Sequence, residues 1–431
     1  MKIKFSQVVL RRQLQRTFSY LAGLALFTLI SATLLQAEGF RDPTAGTFSF
    51  GRVGGRIAQV DDSSAVQQNP ANLVDVTNLQ AQFTPTVIYI NADYKSPDGS
   101  QSASTLHPWK ALPNFFAAVP LFDDKLAFGF GVTVPFGLAN QWDTSSSAVS
   151  RPGGNLAYTA TFAKLTTYNF NPSVAVKIGD HLQIGAGLDV MWSELEFRQY
   201  LPAGNIFPNL QAHASGDGIG VGGNLGITWK ITDSQRLALA YRSTMTVDYS
   251  GHADFENYAV GLPSTSFKSQ VKFPNIISAG YGIDLTDKIR LESDFEWLQF
   301  SQFKNLGIQV GNNALGIPSQ TIAENWHNTF TTGIGGDWKF ADHWVLRAGY
   351  EYLESPVPDS TFSPAIPDAN QNVFTVGLGW HGKNNSLEFA YGLDIYNDRN
   401  INNPITSPDY ASNGKYTFNV HLFSFAYTHS F

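Results

Sequence analysis

The sequence predicts an all-β protein, a transmembrane antiparallel β-barrel of about 14 strands. Three observations predict it. Long segments alternate large apolar residues with small or polar ones. After Leu35 no apolar run reaches the ~18 residues that a membrane helix needs. Short Asp-, Asn- and Gly-bearing turns take turns with long polar loops along the chain.

The first residues read as an export signal. Lys2, Lys4, Arg11, Arg12 and Arg16 precede an apolar run from Leu21 to Leu35, which ends in Leu35-Gln36-Ala37. A basic start, an apolar centre and a small residue at the exit describe a cleaved signal peptide over 1–37 rather than an anchor. Arg11-Arg12 is a twin-arginine pair, but its flanking residues fit that export route poorly. The chain after residue 37 holds 23 Lys and Arg against 35 Asp and Glu, a net of −12. Such a chain, with no basic cluster, is no nucleic-acid binder, because phosphate neutralisation needs clustered cations. The absence of Cys excludes disulfides and thiolate metal sites.

The strands come next. Leu182, Ile184, Ala186, Leu188, Val190 and Trp192 alternate with Gln183, Gly185, Gly187, Asp189, Met191 and Ser193. Ile219, Val221, Gly223, Leu225, Ile227 and Trp229 do so against Gly220, Gly222, Asn224, Gly226, Thr228 and Lys230. Leu387, Phe389, Tyr391, Leu393 and Ile395 form a third case. Each segment has about the ~10 residues of a tilted membrane strand, whereas sandwich strands are usually 5–6 residues long. Trp192, Trp229, Trp338, Trp344 and Trp380 at strand ends suit an interfacial girdle. A closed barrel is also the one sheet that leaves no backbone group unpaired in lipid.

Short turns are expected at 122–125, 179–181, 231–234, 285–287, 341–342 and 382–385, and long loops near 94–112, 139–159, 199–217, 251–270, 304–325, 354–370 and 397–414. Six turns between seven loops imply ~14 strands with both ends on the short-turn, periplasmic side. The final strand places Phe423, Phe425, Tyr427, His429 and Phe431 on one face. A terminal Phe431 is the usual recognition signal for the barrel-assembly machinery.

Residues 38–77 do not read as strands; the barrel is expected over 78–431. Asp42-Pro43-Thr44-Ala45-Gly46, Gly51-Arg52-Val53-Gly54-Gly55-Arg56 and Asp61-Asp62-Ser63-Ser64 are small, polar and rich in breakers. Composition fits either a periplasmic tail or a plug in the lumen. A lumen of ~14 strands left empty would leak, which favours the plug.

Several short motifs carry a resemblance. Gly39-Phe40, Asp61-Asp62-Ser63 and Asn69-Pro70-Ala71 come first, then Phe136-Gly137-Leu138-Ala139 and Gly216-Asp217-Gly218. Tyr241-Arg242-Ser243 and Val247-Asp248-Tyr249-Ser250-Gly251 follow. Ser355-Pro356-Val357-Pro358, Ile366-Pro367-Asp368 and Phe431 complete the set. In this order the chain resembles the FadL/TodX family of outer-membrane long-chain fatty acid and hydrocarbon transporters. The resemblance implies a monomeric barrel with a hatch at 38–77, in the outer membrane of a Gram-negative bacterium and surrounded by its lipids. It implies passive uptake of a hydrophobic ligand: a fatty acid, alkane or aromatic hydrocarbon, for which detergent substitutes in vitro. It also implies capture among extracellular loops, an inner apolar pocket and lateral exit where the third strand kinks, at Val134-Pro135-Phe136-Gly137. Pro135 lacks a ladder N–H and Gly137 relaxes the backbone, so the residues themselves allow a break there; they equally allow a plain strand end.

Asn69, Pro70 and Ala71 are expected to hold the hatch to the wall, and Phe40 to reach the ligand pocket. The loop at 199–217 is short beside the family's fatty-acid members; its Leu201, Ile206, Phe207 and Leu210 are candidate ligand contacts. That leaves the ligand class between acyl chains and smaller hydrocarbons. Arg151, Lys164 and Arg198 are candidates for binding a carboxylate.

Other functions fit less well. The glycines of 216–223 feed a strand, not a strand–helix nucleotide loop. The nine His have no metal-ligand spacing, and no cofactor is implied. An outer-membrane hydrolase needs a paired His beside Asp394, Asp398 or Asp409, and none is evident, so no enzyme is expected. The main alternative is a general porin for polar solutes.

Overall fold

The computed structural model describes residues 39–122, 124–150, 153–201, 210–256, 262–404 and 412–431. Its strands join into one closed antiparallel barrel of 14 strands. These are β1 (Gln80–Phe83 and Thr86–Lys95), β2 (Ser102–Ser104, Trp109–Leu112 and Phe115–Leu121), β3 (Leu126–Thr133 and Leu138–Gln141), β4 (Ala160–Ile178) and β5 (Leu182–Tyr200). Next come β6 (Gln211–Thr232), β7 (Gln235–Arg242 and Met245–Glu256), β8 (Thr265–Phe273 and Ile276–Thr286), β9 (Ile289–Leu298 and Asn305–Val310) and β10 (Gln320–Ala323 and Thr329–Ala341). The last four are β11 (Trp344–Leu353), β12 (Gln371–His381), β13 (Asn385–Tyr396 and Arg399–Ile401) and β14 (Gly414–Ser430). Each pairs with its sequence neighbours, and β14 returns to β1, with Gln80 opposite Ser430 and Thr86 opposite Ser424.

The alternation explains the wall. Ile219, Val221, Leu225 and Ile227 of β6 are 63%, 60%, 55% and 45% exposed, while the neighbouring Asn224 and Thr228 are buried. This inside-out burial suits a strand with lipid on one side and a filled lumen on the other. The six short turns fall where the sequence places them, and the seven loops lie at the opposite end. Two details differ. The third loop is shorter than 199–217, because β6 already begins at Gln211, and strands likewise run into the loops expected at 94–112, 251–270 and 304–325. Trp192 is not a strand end but pairs with Ile219 inside β5, which runs on to Tyr200. Above the bilayer both faces of a strand are wet, so alternation fades while the hydrogen-bond ladder continues.

Residues 39–76 pack against the inner face of this wall. They form two one-turn helices, α1 (Thr47–Phe50) and α2 (Ala65–Gln68), and a 3-10 helix at Pro70–Asp75. Buried ion pairs tie them to the wall. Arg52 reaches Glu292 at 2.6 Å and Asp337 at 2.5 Å; Arg56 reaches Glu296 at 2.7 Å and Glu351 at 3.1 Å. The β9 carboxylates Glu292, Asp294 and Glu296 share the inward face because they are two residues apart.

Candidate functional site

Pairing between β2 and β3 runs from Leu121–Leu126 up to Phe115–Val132 and then stops. It resumes at the outer end, where Leu106 N–H donates to Gln141 C=O at 2.7 Å and Thr105 bridges Trp142. Between these points, among the described residues, no backbone pairing joins 107–114 to 133–140. On its other side β3 pairs Thr133 with Asn169 and Leu138 with Leu165 of β4. The four residues Val134–Gly137 therefore stand opposite only three, and bulge out of register.

A break in a barrel wall must satisfy its backbone groups some other way. Val134 N–H donates to Asn114 Oδ1 at 3.2 Å, and Phe136 N–H to Thr167 Oγ1 at 3.3 Å. The Thr167 hydroxyl in turn donates to Phe136 C=O. The remaining bonds go to the N-terminal segment: Asp42 N–H donates to Pro135 C=O at 3.1 Å, and Gly137 N–H to Phe40 C=O at 2.8 Å. Asn114 and Thr167 were not singled out from the sequence, since one polar residue facing a lumen looks like any other.

Phe40 is 2% exposed and sits in an aromatic cage. Its ring centroid lies 5.0 Å from Trp326, 5.4 Å from Phe273, 5.5 Å from Phe303, 5.6 Å from Phe300 and 6.1 Å from Phe136. Gly39 makes this possible: its φ is +74°, and a Cβ there would stand 2.5 Å from the Trp326 ring. Gly39 N–H donates to Asp368 Oδ2 at 3.0 Å, and Ser355 Oγ donates to the same oxygen at 2.6 Å. The Ser-Pro-Val-Pro and Ile-Pro-Asp motifs thus build the receptacle for residue 39. Burial raises the Asp368 carboxyl above its usual range.

Two cavities lie near the cage. Outside it, among the loops, is a pocket of about 450 Å³ whose walls include Leu138, Leu195, Phe197, Ile322, Phe362 and Ile366. Inside it is a smaller cavity of about 60 Å³ bounded by Arg41, Asp42, Val134, Pro135, Phe136 and Arg242. Both cations there are engaged, Arg41 with Glu296 at 2.8 Å and Arg242 with Asp189. Neither Asp42 oxygen has a hydrogen-bond partner, and burial pushes that carboxyl well above its usual range.

Asn69, Pro70 and Ala71 lie against β5 and β6. Asn69 Nδ2 donates to Ile57 C=O at 2.9 Å and Thr228 Oγ1 at 3.0 Å, while its Oδ1 accepts from Ala71 N–H at 3.1 Å. The glycines of the alternating strands permit this approach: a Cβ on Gly226 would stand 1.9 Å from Asn69 Oδ1. Of the loop candidates, Leu201 and Leu210 are not brought to the cage. Leu201 N–H donates to Leu210 C=O at 2.9 Å, closing the base of their loop, and neither lines the outer pocket. The strand below supplies Leu195 and Phe197 instead. Ile206, Phe207, Arg151, Asp409 and the leader 1–37 lie outside the described residues.

A family model for outer membrane protein transport proteins (OMPP1/FadL/TodX) matches residues 28–431. The chain belongs to this family. It is therefore a transport protein rather than an enzyme, placed in the outer membrane of a Gram-negative bacterium. It is 24% identical to the long-chain fatty acid transport protein of Escherichia coli K12 over 84% of this chain and 89% of that one. Outer membrane protein P1 of Haemophilus influenzae is 24% identical over 85% and 88%. Among solved structures, a Pseudomonas aeruginosa FadL homologue superposes with a TM-score of 0.78 at 22% identity, covering 91% of this chain and 100% of that one. The Pseudomonas putida toluene transporter TodX gives 0.75 at 18% identity, covering 92% and 100%. Both establish the same barrel fold as this family member.

Proposed function

We propose that this chain is a channel for passive uptake of hydrophobic small molecules, of the fatty-acid or hydrocarbon kind that its relatives carry. The ligand enters the outer pocket among the loops, passes the Phe40 cage, and leaves sideways between β2 and β3 at Val134–Gly137. Residues 38–77 act as the hatch, and 1–37 as the leader removed on export. The observation that carries this reading is the unpaired stretch of wall, whose backbone groups are held by Phe40 and Asp42 of the hatch. Moving residues 40–42 therefore moves the ring that separates the cavities and releases the kink in one step.

The route needs no energy source. Each CH₂ taken from water gains ~0.8 kcal/mol, so the protein need only supply an apolar path past the polar outer leaflet. The test is uptake of labelled oleate and labelled toluene by cells lacking their own long-chain fatty acid channel and expressing this chain. Wild type should speed entry of at least one solute, and Pro135→Ala and Gly137→Val should slow it. Entry of neither, with strong ion conductance in a planar bilayer, would replace this reading with that of a general porin.

A further inference from the structure

Resting on that transport reading, we infer that the outer pocket is selective by charge: it takes uncharged hydrophobic molecules and rejects their carboxylates. Among the described residues its lining holds no Lys, Arg or His. Its two ionisable carboxyls, Glu196 and Glu324, are both acidic. Glu324 is 4% exposed, so one face of an apolar pocket ends in a buried carboxyl. Trp326 Nε1 donates to its Oε2 at 3.1 Å. That same indole belongs to the Phe40 cage, its ring 5.0 Å from Phe40, so Glu324 stands where the pocket meets the cage.

Of the cations near the pocket, Arg399 lies over the Phe362 ring and pairs with Asp359 at 2.7 Å, while Lys304, whose carbonyl accepts from Glu324 N–H, is exposed and does not line it. Arg198 and His213 both bond Glu196, at 3.4 and 2.9 Å, and Lys164 bonds Glu194 at 2.9 Å. The stretches 202–209, 257–261 and 405–411 contain no Lys, Arg or His. A buried charge without a partner is costly. An acid can enter tail first and keep its carboxylate at the mouth, but to travel on toward Phe40 it must bring that charge past Glu324. An alcohol, alkane or arene has no such barrier. An alcohol can also hydrogen-bond to the Glu324 carboxyl, which burial raises to about 7.

The experiment is binding of 1-decanol and decanoate, equal in chain length, to the purified full-length protein in zwitterionic detergent at pH 8. Wild type should hold decanol at least about tenfold more tightly, the ratio expected when one ligand must bury an unpaired charge. Glu324→Gln should narrow that ratio and Glu324→Lys should narrow it further or reverse it, both by tightening decanoate alone. Decanoate bound as tightly as decanol by wild type, or a ratio that neither substitution moves, would overturn charge selection and leave transport standing. Binding of neither compound would overturn both.

Discussion

Gly137 donates its backbone N–H to the carbonyl of Phe40 at 2.8 Å, so the N-terminal segment replaces the neighbouring strand at the point where the wall loses its ladder. One residue pair thus links the fate of the segment to the state of the wall. The Phe40 ring and the Phe40 carbonyl do different things: the ring fills the lumen and the carbonyl holds the kink.

Phe40→Ala separates these two roles. It removes the ring from the cage and keeps the backbone bond to Gly137. Loss of a buried Phe typically costs ~3–5 kcal/mol, so the urea midpoint should fall while the barrel still assembles. Single-channel conductance in planar bilayers should rise, because the two cavities then communicate. Unchanged conductance would mean that something other than this ring closes the lumen.

Gly226→Val should dislodge the N-terminal segment from β6. Its Cβ would stand 1.9 Å from Asn69 Oδ1, whereas the nearest atom at Gly223 on the lipid face is 3.3 Å away. Limited proteolysis should then cut before residue 78 in Gly226→Val and spare Gly223→Val. Equal resistance of the two would show that the wall yields instead of the segment.

Arg52→Ala leaves Glu292 and Asp337 as buried carboxylates without their shared partner. Breaking a buried pair from one side costs ~3–5 kcal/mol. Equilibrium unfolding should show a loss of that order. The triple change Arg52→Met, Glu292→Gln, Asp337→Asn should recover part of it, since it removes the charges together.

The outer pocket should weaken as pH rises. Burial lifts Glu324 from its ordinary 4.5 to about 7, so the folded protein binds the proton more tightly than the unfolded chain does. The stability this contributes is full below 4.5 and is lost as pH rises through about 7. The protection of amides in the 304–325 loop against hydrogen exchange, corrected for the intrinsic rate at each pH, should fall across that window in wild type and stay flat in Glu324→Gln. A flat wild-type profile would mean that the carboxyl is more hydrated than its burial indicates.

The strand pattern by itself determined the barrel. Alternation such as Ile219 to Trp229 demands two different media on the two faces, and the Asp-Asn-Gly turns fix which strands are neighbours. The count of 14 and the sidedness of the loops follow from that local information. The pairing of Arg52 and Arg56 with Glu292, Glu296, Asp337 and Glu351 did not, although a run of inward acids two residues apart in β9 was a signal open to reading. Pro135 and Gly137 marked a weak point but allowed a plain strand end as well. Only the tertiary structure decided that β3 resumes beyond it at Leu138, because that depends on Asn114, Thr167, Phe40 and Asp42 arriving from other parts of the chain. The ligand-facing walls were hidden for the same reason. Leu195, Phe362 and Glu324 come from three separate loops or strand ends, and no sequence period relates residues that meet only across a lumen.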